Sequence, residues 1–545
     1  MKRLRPALLI PFIILLFSLV IASASVPRGM FKYGKSFYEK MQIFAAIIET
    51  LQKNYVDERT TEELIEGAIT GMLSKLDPHT NYLPPDNYKN WNQTFEGYTG
   101  VGILFDIVGS RPVITGFVEG GPAARSNLKV GDIIIKIDHA TTRNLAPQEI
   151  ARKIINSPFS DINFTILTSK TKKKKRVKVK RTHIDYESVT GAFMLNSTTG
   201  YIMLERFSGT TALELDKHLD QLLEKGMRFL ILDMRDNGGG YLSAAVEVAD
   251  RFLPRNRLIL YTQGRSADSY QEYRSSLSSK YEDLPLVILI NHGTASAAEI
   301  VAGAMQDWDR AVVIGMTSFG KGLVQSQFRF RDGSALLLTT ARYYTPLGRL
   351  IQRDYSSLNK DEYYRDAYKK IPAWPGDGSA SGRKTFKTLQ GRSVLEGGGI
   401  TPDIQINNDS AEVSEELRAL YLDERHFFYQ FSMQLATTGP EFKKITPEQC
   451  PHILISKRHL NEFFSILRTA FYPMSKNVFD ANQEDIAFLI QRDLAYFIAG
   501  NAGRFHVNFL RDNQLQVASR NRKAAEKLIS SQPVAGLFDG ENDPK

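Results

Sequence analysis

Two short runs, Phe-Leu-Ile-Leu-Asp at 229–233 and Leu-Val-Ile-Leu-Ile at 286–290, constrain this chain more than any other feature. Neither alternates apolar with polar residues, so neither has a face to give to water. Strands of that kind are buried on both sides, as in parallel sheets covered by helices. A third apolar run lies at 311–315. Segments of helical period separate and flank these runs, at 211–224, 242–252 and 296–306. The alternation predicts an α/β core between residues 200 and 340.

Each run feeds a turn whose residues carry chemistry. Asn291-His292-Gly293-Thr294-Ala295-Ser296-Ala297-Ala298-Glu299 follows the second strand and opens a helix. A serine there has its hydroxyl above the sheet edge, beside the free N–H groups of a helix start. Small neighbours let a substrate backbone approach. Ser318-Phe319-Gly320-Lys321-Gly322 follows the third run and holds a lysine on a tight turn. If buried, such a lysine loses its proton more readily and can act as a base. Asp233-Met234-Arg235-Asp236-Asn237-Gly238-Gly239-Gly240 ends the first strand and exposes backbone donors. Taken singly, Ser296 also reads as a helix N-cap, Lys321 as a surface lysine and the glycines as an ordinary turn.

Together the three turns resemble the carboxy-terminal processing proteases, also called tail-specific proteases (peptidase family S41). Lys321 lies 25 residues after Ser296, and Gln325 four beyond the lysine. Further matches are Leu76-Asp77-Pro78-His79, Tyr343-Tyr344-Thr345-Pro346-Leu347-Gly348 and Gly399-Ile400-Thr401-Pro402-Asp403. The resemblance covers residues 35–405. It implies an α/β serine protease core of the ClpP/crotonase-like kind, with Ser296 as nucleophile, Lys321 as general base and Gln325 orienting the lysine. The Ala297 N–H and one of Gly239 and Gly240 would form the oxyanion hole. Asp307 would support the site, and reads equally as a helix-end residue. His292 and His79 are expected to be structural.

Residues 98–184 change character, with short β-like runs and one helix at 147–155. This stretch resembles an inserted, mostly-β PDZ domain. Gly100, Val101, Gly102 and Ile103 match the loop and strand that take a peptide's C-terminal carboxylate. Ser126-Asn127 and His139 depart from the usual pattern. The Lys/Arg-rich run at 170–181 ends by alternating with valine, as in a solvated hairpin.

The remaining organisation is a basic, apolar leader over residues 1–24 ending in Ala22-Ser23-Ala24, an N-terminal helical region (31–97), a protease core (185–405) and a C-terminal helical region (406–545). The leader has the three-part pattern of a secretory signal, with an uncleaved membrane anchor as the alternative. Either places the protein in the periplasm or outside the cell. Net charge is +9, in part from the leader and the 170–181 run, so nucleic acid is not an expected partner. One cysteine and nine scattered histidines give no zinc spacing, and no cofactor is expected. Expected partners are polypeptides with accessible C-termini. An adaptor protein and further copies of the chain, joined through the C-terminal helices, are additional candidates. The contrasting reading is a PDZ-containing binding or scaffold protein without turnover.

Overall fold

The computed structural model describes residues 35–531 apart from 109, 119, 169–170, 172, 277–279, 367–382 and 408–413. The leader therefore lies outside the described residues. The chain divides into two units, residues 1–77 and 78–545. In the first, helices Lys35–Asn54 and Thr61–Leu73 are joined by a short turn. Thr60 starts the second helix because its hydroxyl accepts the Glu63 N–H while Glu63 returns a bond to the Thr60 N–H.

The second unit is built on a six-stranded sheet in the order Val189–Met194, Thr199–Leu204, Phe229–Asp233, Leu286–Ile290, Val312–Gly315, Ile404–Gln405. Only the first pair is antiparallel. Continuous apolar strands bury both faces here. Leu230, Leu232 and Ile288 face helices Thr211–Glu224, Leu242–Asp250 and Ala297–Asp307. Phe229, Ile231, Val287 and Leu289 face the other way, onto Leu515, Ala518, Ala525 and Leu528. The last two described helices, Asn513–Arg520 and Arg522–Ser530, thus complete the sandwich. A second, antiparallel sheet includes Leu323–Arg329 and Ala335–Tyr344.

The small β module has the strand order Ile103–Val108, Arg111–Phe117, Ile133–Ile137, Asp161–Leu167, Lys174–Lys180, with helix Pro147–Ile155 beside it. Its basic run forms one arm of a hairpin, with Val177 and Val179 inward and the lysines outward. A separate cluster, including Leu420, Phe431, Phe463, Ile490 and Val507, makes the core of the C-terminal helical region. Among the described residues no helix is long and apolar enough to cross a membrane.

Three segments differ from their sequence pattern. A surface loop is expected over 364–388; residues 367–382 of that stretch lie outside the described residues, and at its two ends Tyr364 lies in helix Lys360–Asp366 and Thr385–Lys387 is a strand. Tyr363, in the same helix, is fully buried beside Phe319. The helical pattern over 414–436 breaks into Glu415–Tyr421 and Phe427–Thr438. Asp423 accepts the Arg425 N–H, a local bond that competes with the helix, and His426 sits at φ 49°. The pattern from 483 runs beyond Ala499 to Phe509, across a kink where Gly500 takes φ 64°.

Candidate active site

Sheet order brings the three turns together. Phe229–Asp233, Leu286–Ile290 and Val312–Gly315 are consecutive parallel neighbours, so their C-terminal ends stand side by side. The turns leaving them must meet above one edge, where open α/β sheets bind ligands. Thr294 Oγ1 donates to the Met234 carbonyl at 2.8 Å, Ala295 N–H to the Asn237 carbonyl at 2.9 Å, and Phe319 N–H to the Thr294 carbonyl at 2.9 Å. The Asn291 amide and Asp236 add two further bonds of 2.9 Å.

Ser296 is half-buried and sits at φ 54°, ψ −115°, a backbone conformation a non-glycine residue adopts only under constraint. It precedes helix Ala297–Asp307, but its hydroxyl makes no capping bond. The N-cap role is therefore not what the side chain performs. The Ser296 carbonyl accepts the hydroxyl of fully buried Tyr343 at 3.2 Å.

Glu299 supplies the link that sequence reasoning leaves unassigned. It is completely buried. Its Oε2 accepts the Ser296 N–H and the Lys321 N–H at 2.8 Å each. Its Oε1 accepts the Ser318 hydroxyl at 2.5 Å and the Gly320 N–H at 2.7 Å. One carboxylate oxygen thus touches both the serine's and the lysine's backbone, holding those nitrogens no more than twice that distance apart. Burial pushes the Glu299 carboxyl pKa up, and its four hydrogen bonds pull it down without cancelling the shift. Three of the four partners are backbone N–H groups, which can only donate and suit the carboxylate, and an acid's O–H could turn only to the Ser318 hydroxyl.

Lys321 is half-buried, and its Nζ donates to Gln325 Oε1 at 2.8 Å. The Gln325 amide cannot turn over freely, because its Nε2 donates to the His79 carbonyl at 2.7 Å. A register shift in the strand pairing falls between Val324 and Gln325 and re-aims that side chain. The His79 ring contacts the hydroxyls of Tyr364 and Tyr363 at 3.1 and 3.3 Å. His292 Nδ1 donates to the Thr317 carbonyl at 2.7 Å, and burial lowers its pKa.

The glycines separate into two roles. A side chain on Gly239, at φ 96°, would stand 2.9 Å from Ser296 Cβ and 3.0 Å from the Ala297 nitrogen. Gly239 therefore lets its turn close onto the serine, while its N–H donates to Asn237 Oδ1 at 2.9 Å. Gly240 lies against the Phe207 backbone. The Ala297 N–H is first in its helix and has no intrahelical acceptor. Asp307 sits at the far end of that helix, where it accepts Arg349 Nη2 at 2.5 Å and the Leu347 N–H at 3.0 Å. Its contacts are with the 344–348 turn rather than with Ser296 or Lys321.

In the β module the Gly100, Val101 and Gly102 loop is fixed from behind. Gly100 belongs to strand Tyr98–Gly100, and the Val101 and Gly102 carbonyls accept the Ala123 and Val118 N–H groups at 2.9 and 3.0 Å. Ile103 then begins strand Ile103–Val108, which among the described residues pairs only with Arg111–Phe117 and so lies at the edge of its sheet.

The family model "Peptidase family S41" matches residues 198–361, "PDZ domain" matches 93–167, and "Activating protease CtpB N-terminal domain" matches 22–86. A carboxy-terminal-processing protease of Bartonella bacilliformis is 32% identical over 340 residues, covering 62% of this chain and 77% of its own length. This chain belongs to the carboxy-terminal-processing protease family. A Picosynechococcus carboxyl-terminal-processing protease is 35% identical over 295 residues, 53% of this chain and 70% of its own. A solved photosystem II D1 C-terminal processing protease covers 70% of this chain and 92% of its own at 24% identity, with a TM-score of 0.35. As a family member the chain is a serine-type peptidase carrying a PDZ domain.

Proposed function

We propose that this protease cleaves polypeptides with Ser296 as nucleophile and Lys321 as general base, and that its PDZ domain takes hold of substrate C-terminal tails. The carrying observation is the shared Glu299 oxygen, which ties the backbone of the serine to that of the lysine. Ser296 Oγ attacks the scissile carbonyl while neutral Lys321 Nζ takes its proton and passes it to the leaving amine. Water then releases the acyl group, with the same amine as base. Gln325 supports the lysine with an uncharged acceptor, which stabilises an ammonium less than a carboxylate would. The oxyanion is met by the Ala297 N–H and the adjoining Gly239-Gly240 turn. Because the Gly239 N–H is engaged by Asn237, tail binding at the PDZ domain would act by realigning this turn with Lys321 and Gln325. The leader sends the chain out of the cytoplasm, to periplasmic or extracellular substrates.

The test is cleavage of an unstructured protein such as casein by the full chain, by Ser296→Ala and by Lys321→Ala. Only the intact chain should cut, because nucleophile and base act as a unit. Equal cutting by all three would place the activity elsewhere. If none cuts, peptides with a free or an amidated C-terminus are added in turn. Activation by the free acid alone supports tail binding, and no activation by either supports a binding protein.

A further inference from the structure

The turn that carries Gly239 is held from behind by the C-terminal helical region, which lies beyond the matched S41 segment. Arg235 makes this contact. Its Nε donates to both Asp233 oxygens at 3.0 Å, and its Nη2 to Asp233 Oδ2 at 2.5 Å. The other side of the guanidinium reaches Asp512, with Nη1 to Oδ1 at 3.0 Å and Nη2 to Oδ2 at 2.7 Å, and reaches Gln514 Oε1 at 3.2 Å. Tyr201 donates to Asp233 Oδ2 at 2.8 Å and completes the cluster. The arginine side chain is 16% exposed, and the Asp233 and Asp512 side chains 2% and 20%.

Two features make Asp512 more than a packing contact. A bidentate carboxylate on each side fixes the guanidinium plane, and Arg235 is itself part of the turn that ends in the glycines. A cavity of about 170 Å³, lined in part by Tyr201, Asp236, Asn291 and Phe505, borders Arg235 and Asp512. Close packing therefore does not confine the arginine on that side, and the two carboxylates do. Asp236 and Asn291, on the same cavity wall, are one of the pairs that bond this turn to the one carrying Ser296.

We propose that Asp512 is a positioning residue for proteolysis: through Arg235 it sets the 233–240 turn against Ser296 and Ala297, so the catalytic face depends on the C-terminal helices. This deepens the reading of Ser296 as nucleophile and rests on it. Asp512 has a second task, since its Oδ1 caps helix Asn513–Arg520 by accepting the Leu515 N–H at 2.9 Å. The variants must separate the two tasks. Asp512→Ser keeps a good N-cap but is too short to reach Arg235, and Asp512→Asn keeps the cap with one acceptor oxygen.

The experiment measures kcat, KM and thermal unfolding of the full chain on one peptide substrate, for wild type, Asp512→Ser, Asp512→Asn and Ser296→Ala. The expected result for Asp512→Ser is a kcat lower by about tenfold or more, KM within about twofold and an unchanged unfolding midpoint, with Asp512→Asn intermediate. Wild-type kcat in a folded Asp512→Ser would overturn the proposal and leave Asp512 as a helix cap. If Asp512→Ser fails to fold, Asp512→Asn decides: a lowered kcat supports positioning and an unchanged one overturns it. Retained activity in Ser296→Ala would instead remove the nucleophile reading, and with it the ground on which this inference stands.

Discussion

Helix Ala297–Asp307 carries a buried carboxylate at each end, and the two are held in opposite ways. Glu299, near the first turn, is surrounded by three backbone N–H groups and a hydroxyl, with no cation among its hydrogen-bond partners. Asp307, at the last turn, is paired with Arg349, and both side chains are fully buried. Neutral backbone donors place a backbone: Glu299 fixes where Ser296 and Lys321 stand. An ion pair places side chains: Asp307 and Arg349 lock the 344–348 turn. Only the first carboxylate bonds the backbones of the proposed nucleophile and base.

Replacing Glu299 by Gln should separate the two ends most strongly. An amide presents its NH2 to two of the four partners, and in either orientation the turn carrying Lys321 loses at least one bond. kcat/KM should fall by about a thousandfold, comparable to losing a member of the dyad, with about 2–4 kcal/mol of stability lost to unmet donors. The pH dependence carries a second signature. Because the Glu299 pKa is raised in the fold, its stability contribution is full below its ordinary value of 4.5 and declines as pH rises through the folded value. Glu299→Gln should remove that part of the slope in unfolding measured against pH. Activity within tenfold of wild type would erase the contrast.

Gln325 comes next. Gln325→Leu should lower kcat by about ten- to a hundredfold, as loss of a preorganised polar partner does. Gln325→Glu puts a carboxylate on Lys321 and favours the ammonium, so the rise in rate with pH should move up by about one to two units. An unmoved profile would mean that Lys321 is not the titrating base. Asp307→Asn should reverse the pattern of Glu299. It leaves Arg349 buried without its counter-ion and costs about 3–5 kcal/mol. Below its melting temperature it should keep kcat within about tenfold. The smallest effect belongs to His292→Asn, expected to stay within about threefold because the ring's Nδ1 is engaged by the Thr317 carbonyl. A loss of a thousandfold there would make histidine the base.

Much of this site is legible in the sequence, because continuous apolar strands must lie together in a parallel sheet and their turns must then converge. The candidates Ser296 and Lys321 come from that argument and from the family resemblance, and Gln325 from the resemblance alone. Glu299 stayed hidden since a glutamate three residues into a helix reads as a capping box, and its Oε2 does accept the Ser296 N–H. Its contact with Gly320 and Lys321 depends on tertiary structure. The choice between Gly239 and Gly240 depends on backbone direction, which glycine leaves open. The apolar stripes of the last helices show that they bury a face, but not that the face covers Phe229 and Val287. Asp512 is still less legible, being 277 residues from its arginine.

The most direct measurement of the central claim is acid quench of the full chain during turnover of a peptide ester, for which acylation is fast and the acyl-enzyme accumulates, followed by mass mapping of the bound acyl group. The account predicts the acyl group on Ser296 in wild type and none in Lys321→Ala. An acyl group on another residue, or the same acylation of Ser296 without Lys321, would contradict it.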